Sequence, residues 1–320
     1  MEQQTLLSEI ATDTLHGLSC DSKYLLSKYF YDDAGSAIFQ DIMNMPEYYL
    51  TNCEHEIFSE QKEALLKAFV NGNNRFNLVE LGSGDGIKTK ILLKHFTDNA
   101  VDFRYIPIDI SKKANDDLVE SLAKEIPDLN VSAKTGDYFQ QLKKLNSKAQ
   151  ERKIIFFLGS NIGNFRDEET ALFLAQLSEF TNKGDKVLMG FDLKKSPETV
   201  IKAYNDPAGH TRNFIFNHIV RLNRELDANF DLNKFEHRVE YSQETGEVKS
   251  FLVSKADQKV FIGALDQTFQ FKKEEPVFME LSKKYDSNSI ESLASKNGFK
   301  IVKDFTDSRK YFVDSLWERM

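Results

Sequence analysis

Between Phe76 and Leu193, short apolar runs alternate with amphipathic stretches, the rhythm of βαβ units around a parallel sheet. Five runs read as strands: Phe76–Leu81, Phe103–Ile110, Leu129–Ala133, Lys153–Leu158 and Lys186–Phe191. Between them, Ile87–Phe96, Ala114–Ile126 and Glu168–Phe180 carry apolar residues at helical spacing, as Leu172, Leu174, Ala175, Leu177 and Phe180 illustrate. Past Leu193 the alternation stops. A helical region from Thr211 to Asn229 leads into strand-like runs at Arg238–Tyr241, Val248–Ser254, Lys259–Leu265 and Phe278–Leu281. The first pattern returns with a helix over Ser289–Asn297, a turn at Gly298, and strands over Phe299–Phe305 and Tyr311–Trp317. The chain therefore predicts a Rossmann-like, doubly wound α/β domain (61–195 plus 286–320) interrupted by a second, α+β domain (1–60 plus 196–285). Ahead of Phe76, the aromatics of Tyr29-Phe30-Tyr31 and Tyr48-Tyr49 follow neither a helix nor a strand period; by themselves they read as core or interface.

Composition narrows the function. A chain of 320 residues has room for two domains, and 41% hydrophobic with 29% charged residues is ordinary globular usage. The net charge of -8 argues against duplex nucleic acid, whose binding rests on clustered Lys and Arg, so a small molecule is the expected partner. Lys194-Lys195 and Lys283-Lys284 read as solvated faces. Two cysteines cannot build a disulfide framework, Met1–Gln4 shows no basic leader followed by an apolar stretch, and no apolar run approaches membrane-spanning length. These features predict a cytoplasmic protein without membrane contact, and we expect a monomer. The six histidines include no HExxH pair, and Cys53 with His55 does not make a metal site, so no metal is expected.

Candidate chemistry gathers at the strand ends. The first strand closes in Glu80-Leu81-Gly82-Ser83-Gly84-Asp85-Gly86 and opens directly onto a helix, which lets backbone approach a ligand closely. A Walker loop fails because Ile87 stands before Lys88-Thr89, and Gly-x-Gly-x-x-Gly fails because the third glycine falls at 86. The pattern acidic-x-Gly-x-Gly-x-Gly of S-adenosylmethionine (SAM) loops matches at all four positions. Asp109, ending the second strand, suits the ribose hydroxyls of either SAM or NAD, though a strand-end Asp is also a common helix cap and Ser111 is an equally good one. Asp137 and Tyr138 suit the amine and face of adenine, with a helix N-cap as the plainer role for Asp137. The fourth strand runs into Gly159-Ser160-Asn161-Ile162-Gly163-Asn164, where Asn164 either serves a polar substrate or caps the next helix.

Together these motifs resemble the histidine-specific Nα-methyltransferase family of ergothioneine biosynthesis. The resemblance spans almost the whole chain. It is carried by Tyr29-Phe30-Tyr31-Asp32 with Gly35-Ser36, Pro46-Glu47-Tyr48-Tyr49, Leu78 to Gly84, Phe157 to Asn164, Ala203-Tyr204-Asn205-Asp206, Asn223-Arg224-Glu225-Leu226, Phe230-Asp231-Leu232 and Glu236-His237. It implies that Gly82, Lys88, Asp109, Asp137 and Tyr138 face SAM, with Phe39 walling the site near the transferred methyl. It further implies that Tyr31, Tyr48, Asn164 and Tyr204 hold the amino and carboxylate groups of an α-amino acid, with Tyr31 and Asn164 steering the amine. Glu280 and Ser282 match the family's readers of an imidazole. Ser250 stands where the family's histidine enzymes have a methionine, which enlarges the pocket and opens the alternative of a different amino acid or amino acid derivative. The expected activity is methyl transfer from SAM to the α-amine of a free amino acid, foremost L-histidine to its trimethyl form. A non-catalytic SAM-fold binding protein is the rival from another class, and a dehydrogenase is a third option.

Overall fold

The computed structural model describes residues 8–70, 75–146 and 151–320. Met1–Gln4, where no leader was read, lies outside them. Helices α1 (Glu9–Ser19) and α2 (Asp33–Asn44) precede a long α3 (Tyr49–Phe69). Then follow β1 (Phe76–Leu81), α4 (Ile87–Asp98), β2 (Phe103–Asp109), α5 (Lys112–Glu125), β3 (Lys134–Thr135), α6 (Tyr138–Asn146), β4 (Lys153–Phe157), α7 (Asp167–Glu179) and β5 (Lys186–Asp192). Helices α8 (Pro197–Tyr204) and α9 (His210–Glu225) lead to β6 (Phe235–Tyr241), β7 (Glu247–Ser254), β8 (Gln258–Ile262), β9 (Gln267–Phe271) and β10 (Pro276–Lys283). The chain finishes with α10 (Ser287–Lys296), β11 (Phe299–Thr306) and β12 (Phe312–Arg319). These elements form two compact units, residues 1–49 with 195–282, and 50–194 with 283–320.

The second unit is a seven-stranded sheet in the order β11-β12-β5-β4-β1-β2-β3. Strands β3 to β5 are parallel, and β12 runs antiparallel to both neighbours. Helices cover both faces, so β1, β4 and β5 are buried at every position. Strand order reverses between β1 and β4, which leaves a crevice at their carboxyl ends, the usual ligand position of such sheets. On α7 the buried stripe is Phe173, Leu174 and Leu177; Leu172 faces solvent. The division falls at Tyr49 and not at residue 60, because α3 packs on this sheet: Phe58 and Phe69 lie 6.5 and 5.7 Å from the Phe156 ring. The strand expected at Leu129–Ala133 is reduced to a bridge between Val131 and Tyr105, followed by the two-residue β3. It sits at the sheet edge, where a strand has one partner to hold it.

Lys284 corrects the reading of its pair as a solvated face. It is 1% exposed and ion-paired at 2.8 Å with buried Asp192. There Leu193 and Tyr285 run side by side as a parallel bridge, and the pair joins the two passages of the chain. An ion pair this dry is tolerated because each charge answers the other.

The first unit combines a three-stranded sheet, β10-β7-β6, with the β8-β9 hairpin. The single run expected at Lys259–Leu265 ends at Ile262; Gly263–Leu265 is a 3-10 turn into β9, which the pattern missed. Its core joins Phe30, Ile42, Phe214, Ile215, Ile219, Leu252 and Met279. His218 of α9 is fully buried in this core, 5.5 Å from the Phe30 ring and 5.9 Å from Tyr29, and neither ring nitrogen has a partner among the described residues. Burial, reinforced by Arg221 and opposed by Asp32, lowers its pKa from 6.5 to about 3. A histidine depressed in this way contributes stability above its unfolded pKa and loses it as the pH falls toward the folded value. At pH 5 the cost of staying neutral is about 2 kcal/mol. His218→Leu should therefore show a flatter decline of Tm between pH 7 and pH 5 than the unaltered protein; parallel declines would show that His218 does not govern this limb.

Candidate active site

In the second unit, the glycine loop takes its shape from backbone that only glycine adopts easily. Gly82, Gly84 and Gly86 have φ of 74°, 51° and 66°, all left-handed. A Cβ on Gly82 would stand 2.7 Å from the Tyr138 hydroxyl, whereas one on Gly84 would meet nothing within 4 Å, so the loop is closed on one side and open on the other. Asp109 accepts from Ser111 N at 2.8 Å and from Gly84 N at 3.4 Å, tying the second strand end to the loop. Ser111 caps α5, accepting from Ala114 N, so that role does not fall to Asp109. Beside Asp109, Ile110 is 82% exposed, an apolar side chain held at the same edge. Asp137 does cap a helix: its Oδ1 accepts from Phe139 N and Gln140 N. The Tyr138 hydroxyl is pushed up to about 12 by burial and by the charges of Asp109 and Asp137. A carboxylate beside a left-handed backbone bend, with an aromatic and an exposed aliphatic flanking it, fits the hydroxyls, backbone-hugging tail and flat base of an adenosyl ligand.

Asn164 does not cap α7. It ends a 3-10 turn (Asn161–Asn164), and Arg166 is the N-cap. The turn is held tightly. Ser160 sits at φ 57°, its hydroxyl accepts from Asp192 N at 2.9 Å, and a Cβ on Gly163 would stand 2.7 Å from Lys283 O. Backbone strain at a non-glycine residue persists where the surroundings impose it, and here it displays an exposed Asn164 at the carboxyl end of β4.

In the first unit, several residues scattered along the sequence come together. Tyr31 lies 5.5 Å from Phe39 and 5.2 Å from Phe214, Phe39 lies 6.4 Å from Tyr48, and Tyr48 lies 6.3 Å from Tyr204. The Tyr204 hydroxyl shares a 2.8 Å hydrogen bond with Ser282. Glu280, two residues earlier on β10, projects to the same side as Ser282. Tyr31 is 48% exposed, yet the packing around its phenol, with the charge of Glu280 and the Tyr204 phenol, raises its pKa, so Tyr31 stays protonated at neutral pH. Ser250 is buried on β7 opposite Val239, on the strand between β6 and β10.

The sequence reading missed what holds Tyr31 in place. Asp32 caps α2 through Gly35 N at 2.8 Å, accepts from Asn217 at 2.8 Å, and pairs with Arg224 at 2.7 Å. Burial alone would raise its carboxyl, but Arg224, Gly35 N and Asn217 bring it down to about 2. Phe214, Asn217 and Arg224 share α9, and their helical spacing was the available signal.

A family model described as "Histidine-specific methyltransferase, SAM-dependent" matches residues 10–319. Histidine N-alpha-methyltransferase of Mycolicibacterium smegmatis is 33% identical over 304 residues, covering 95% of this chain and 93% of that one. Ergothioneine biosynthesis protein 1 of Schizosaccharomyces pombe is 28% identical over 287 residues, covering 88% of this chain and 37% of that longer one. L-tryptophan methyltransferase trpM of Psilocybe serbica is 25% identical over 301 residues, covering 87% and 83%. With a family match running from α1 to β12, the chain belongs to the histidine-specific, SAM-dependent methyltransferase family.

Proposed function

We propose that this enzyme transfers methyl groups from SAM to the α-amine of L-histidine, carrying it to the trimethyl form. The observation that carries the histidine reading is the set Tyr204, Glu280 and Ser282 in one unit: a carboxylate and a hydroxyl two residues apart suit the two nitrogens of an imidazole. The first unit is then the substrate-binding domain, and the second, with Gly82, Lys88, Asp109, Asp137 and Tyr138, the SAM-binding domain. We read the protein as a cytoplasmic monomer without nucleic acid or membrane partners; among the described residues no helix is long and apolar enough to cross a membrane.

SAM brings a methyl on a positively charged sulfur, so the donor needs no further activation. What the protein supplies is orientation, which can be worth several kcal/mol. Transfer breaks the methyl–sulfur bond, forms the methyl–nitrogen bond, and uses the lone pair of a neutral amine, whose extra proton leaves to water. A raised Tyr31 pKa makes this phenol a hydrogen-bond donor and not a base, and the Asn164 amide has no basic form to offer. Both are positioning groups for the amine. Tyr48 and Tyr204 would steady the carboxylate, and Phe39 would wall the methyl.

A screen of free amino acids with SAM, read by mass spectrometry, should show three successive methyl additions to histidine. Ser250 gives a specific reason for including tryptophan and imidazole analogues. Trimethylation of another amino acid with histidine inert would displace histidine as the substrate. Glu280→Ala should weaken histidine about tenfold more than any apolar amino acid that reacts, the worth of one charge-assisted hydrogen bond. An equal loss for both would remove Glu280 as a side-chain reader.

A further inference from the structure

Beneath the glycine loop the second unit buries a group of charges from three separate elements. Glu54 of α3 is fully buried; its Oε1 accepts from Gly159 N at 2.7 Å, and its Oε2 pairs with the Lys88 ammonium from α4. Gly190 makes room for it, since a Cβ there would stand 2.7 Å from Glu54 Oε1. Asp314 of β12 lies opposite Gly190 in register and is also fully buried. Neither of its oxygens meets a hydrogen-bond donor among the described residues. Its charged neighbours are Glu54 and the Lys88 ammonium. Burial and the charge of Glu54 push the Asp314 pKa well above the ordinary carboxylate range, while the Lys88 ammonium opposes them. For Lys88, burial works against the charge but Glu54 outweighs it, and the ammonium persists.

Lys88 also reaches the ligand edge. Its Nζ lies 3.7 Å from where a Cβ on Gly159 would be, at the carboxyl end of β4. SAM carries one anionic group, the carboxylate of its amino acid end, and its sulfonium repels a cation. A fixed ammonium at this edge therefore has a single favourable partner on the ligand. We propose that Glu54 and Asp314 are positioning residues, which hold the Lys88 ammonium at the end of β4 for the carboxylate of SAM. This rests on the reading that Lys88 faces the cofactor.

Calorimetry with two ligands tests it. S-adenosylhomocysteine keeps the amino acid end, and 5′-methylthioadenosine lacks it. Glu54→Gln should weaken the first about tenfold, the worth of one charge-assisted contact, and the second by less than about twofold. Asp314→Val should weaken the first severalfold with the same indifference to the second, and it decides the matter if Glu54→Gln does not fold. Equal losses for both ligands would mean a purely structural pair and overturn the proposal, as would no loss for either. Lys88→Met separates the two layers. If it leaves both ligands unchanged, Lys88 does not face the cofactor and the underlying reading fails. If it weakens S-adenosylhomocysteine while Glu54→Gln and Asp314→Val do not, the positioning role alone fails.

Discussion

Replacing Asp109 by alanine should weaken S-adenosylhomocysteine binding at least about a hundredfold, because hydrogen bonds from two ribose hydroxyls to a carboxylate are each worth roughly 1.5–3 kcal/mol. The substitution also removes the acceptor for Gly84 N, which ties the glycine loop to the strand end. Helix α5 should persist, since the Ser111 hydroxyl still caps it through Ala114 N after Ser111 N loses its bond to Asp109, so the protein keeps its fold while losing its cofactor. Asp109→Asn retains one acceptor oxygen without the charge and should fall between, at about tenfold. Calorimetry reads the affinity, and thermal denaturation reads the fold. A loss below about threefold for Asp109→Ala would remove this carboxylate from the ribose.

Gly35→Ala should be the most damaging single-methyl addition in the first unit. A Cβ there would stand 1.7 Å from the Phe30 carbonyl oxygen and 3.0 Å from Asn217 Nδ2. Neither side can retreat. Phe30 is fully buried, 5.0 Å from the Phe214 ring, and Asn217 is held by Asp32. Overpacking against backbone should cost at least about 3 kcal/mol and displace Tyr31, the next residue after Phe30. Denaturation should show the loss of stability, and turnover should fall with it. S-adenosylhomocysteine binding should survive at temperatures where the protein remains folded, because the residues proposed for it belong to the other unit. Wild-type turnover and stability in Gly35→Ala would mean that α2 does not make this close approach.

These two positions show what the sequence could and could not reveal. The loop from Glu80 to Gly86 was legible because φ > 0 at alternate residues demands glycine, and the demand is written in residue type. Asp109 was legible as a strand end, but its choice between capping and ligand binding was not, because Ser111 competes for the same helix. Asn164 had the same ambiguity, and the geometry of Arg166 resolves it against capping. Tyr31 and Tyr204 were named only through resemblance, since aromatics without a period carry no address. Their meeting depends on residues from two distant stretches of chain, and periodicity reports local neighbours only. Glu54 and Asp314 were invisible for a related reason. A buried acid in a helix or strand looks like any surface acid until the fold encloses it. Lys284 misled the reading in the same way, because its pair with Asp192 spans 92 positions.

The threading of the chain also governs when the protein can fold during synthesis. Residues 1–49 are made before 195–282 but belong with them, so their core cannot close until residue 282 has been made. The other unit waits longer still. Strand β12 lies between β5 and β11 and brings the fully buried Trp317, yet it occupies residues 312–319. The first unit is complete only once residue 282 is made, and the second only once β12 is made. Strands β1 to β5 can pair once residue 192 is made, but β5 keeps an open edge until β12 arrives, and an open edge is prone to wrong partners.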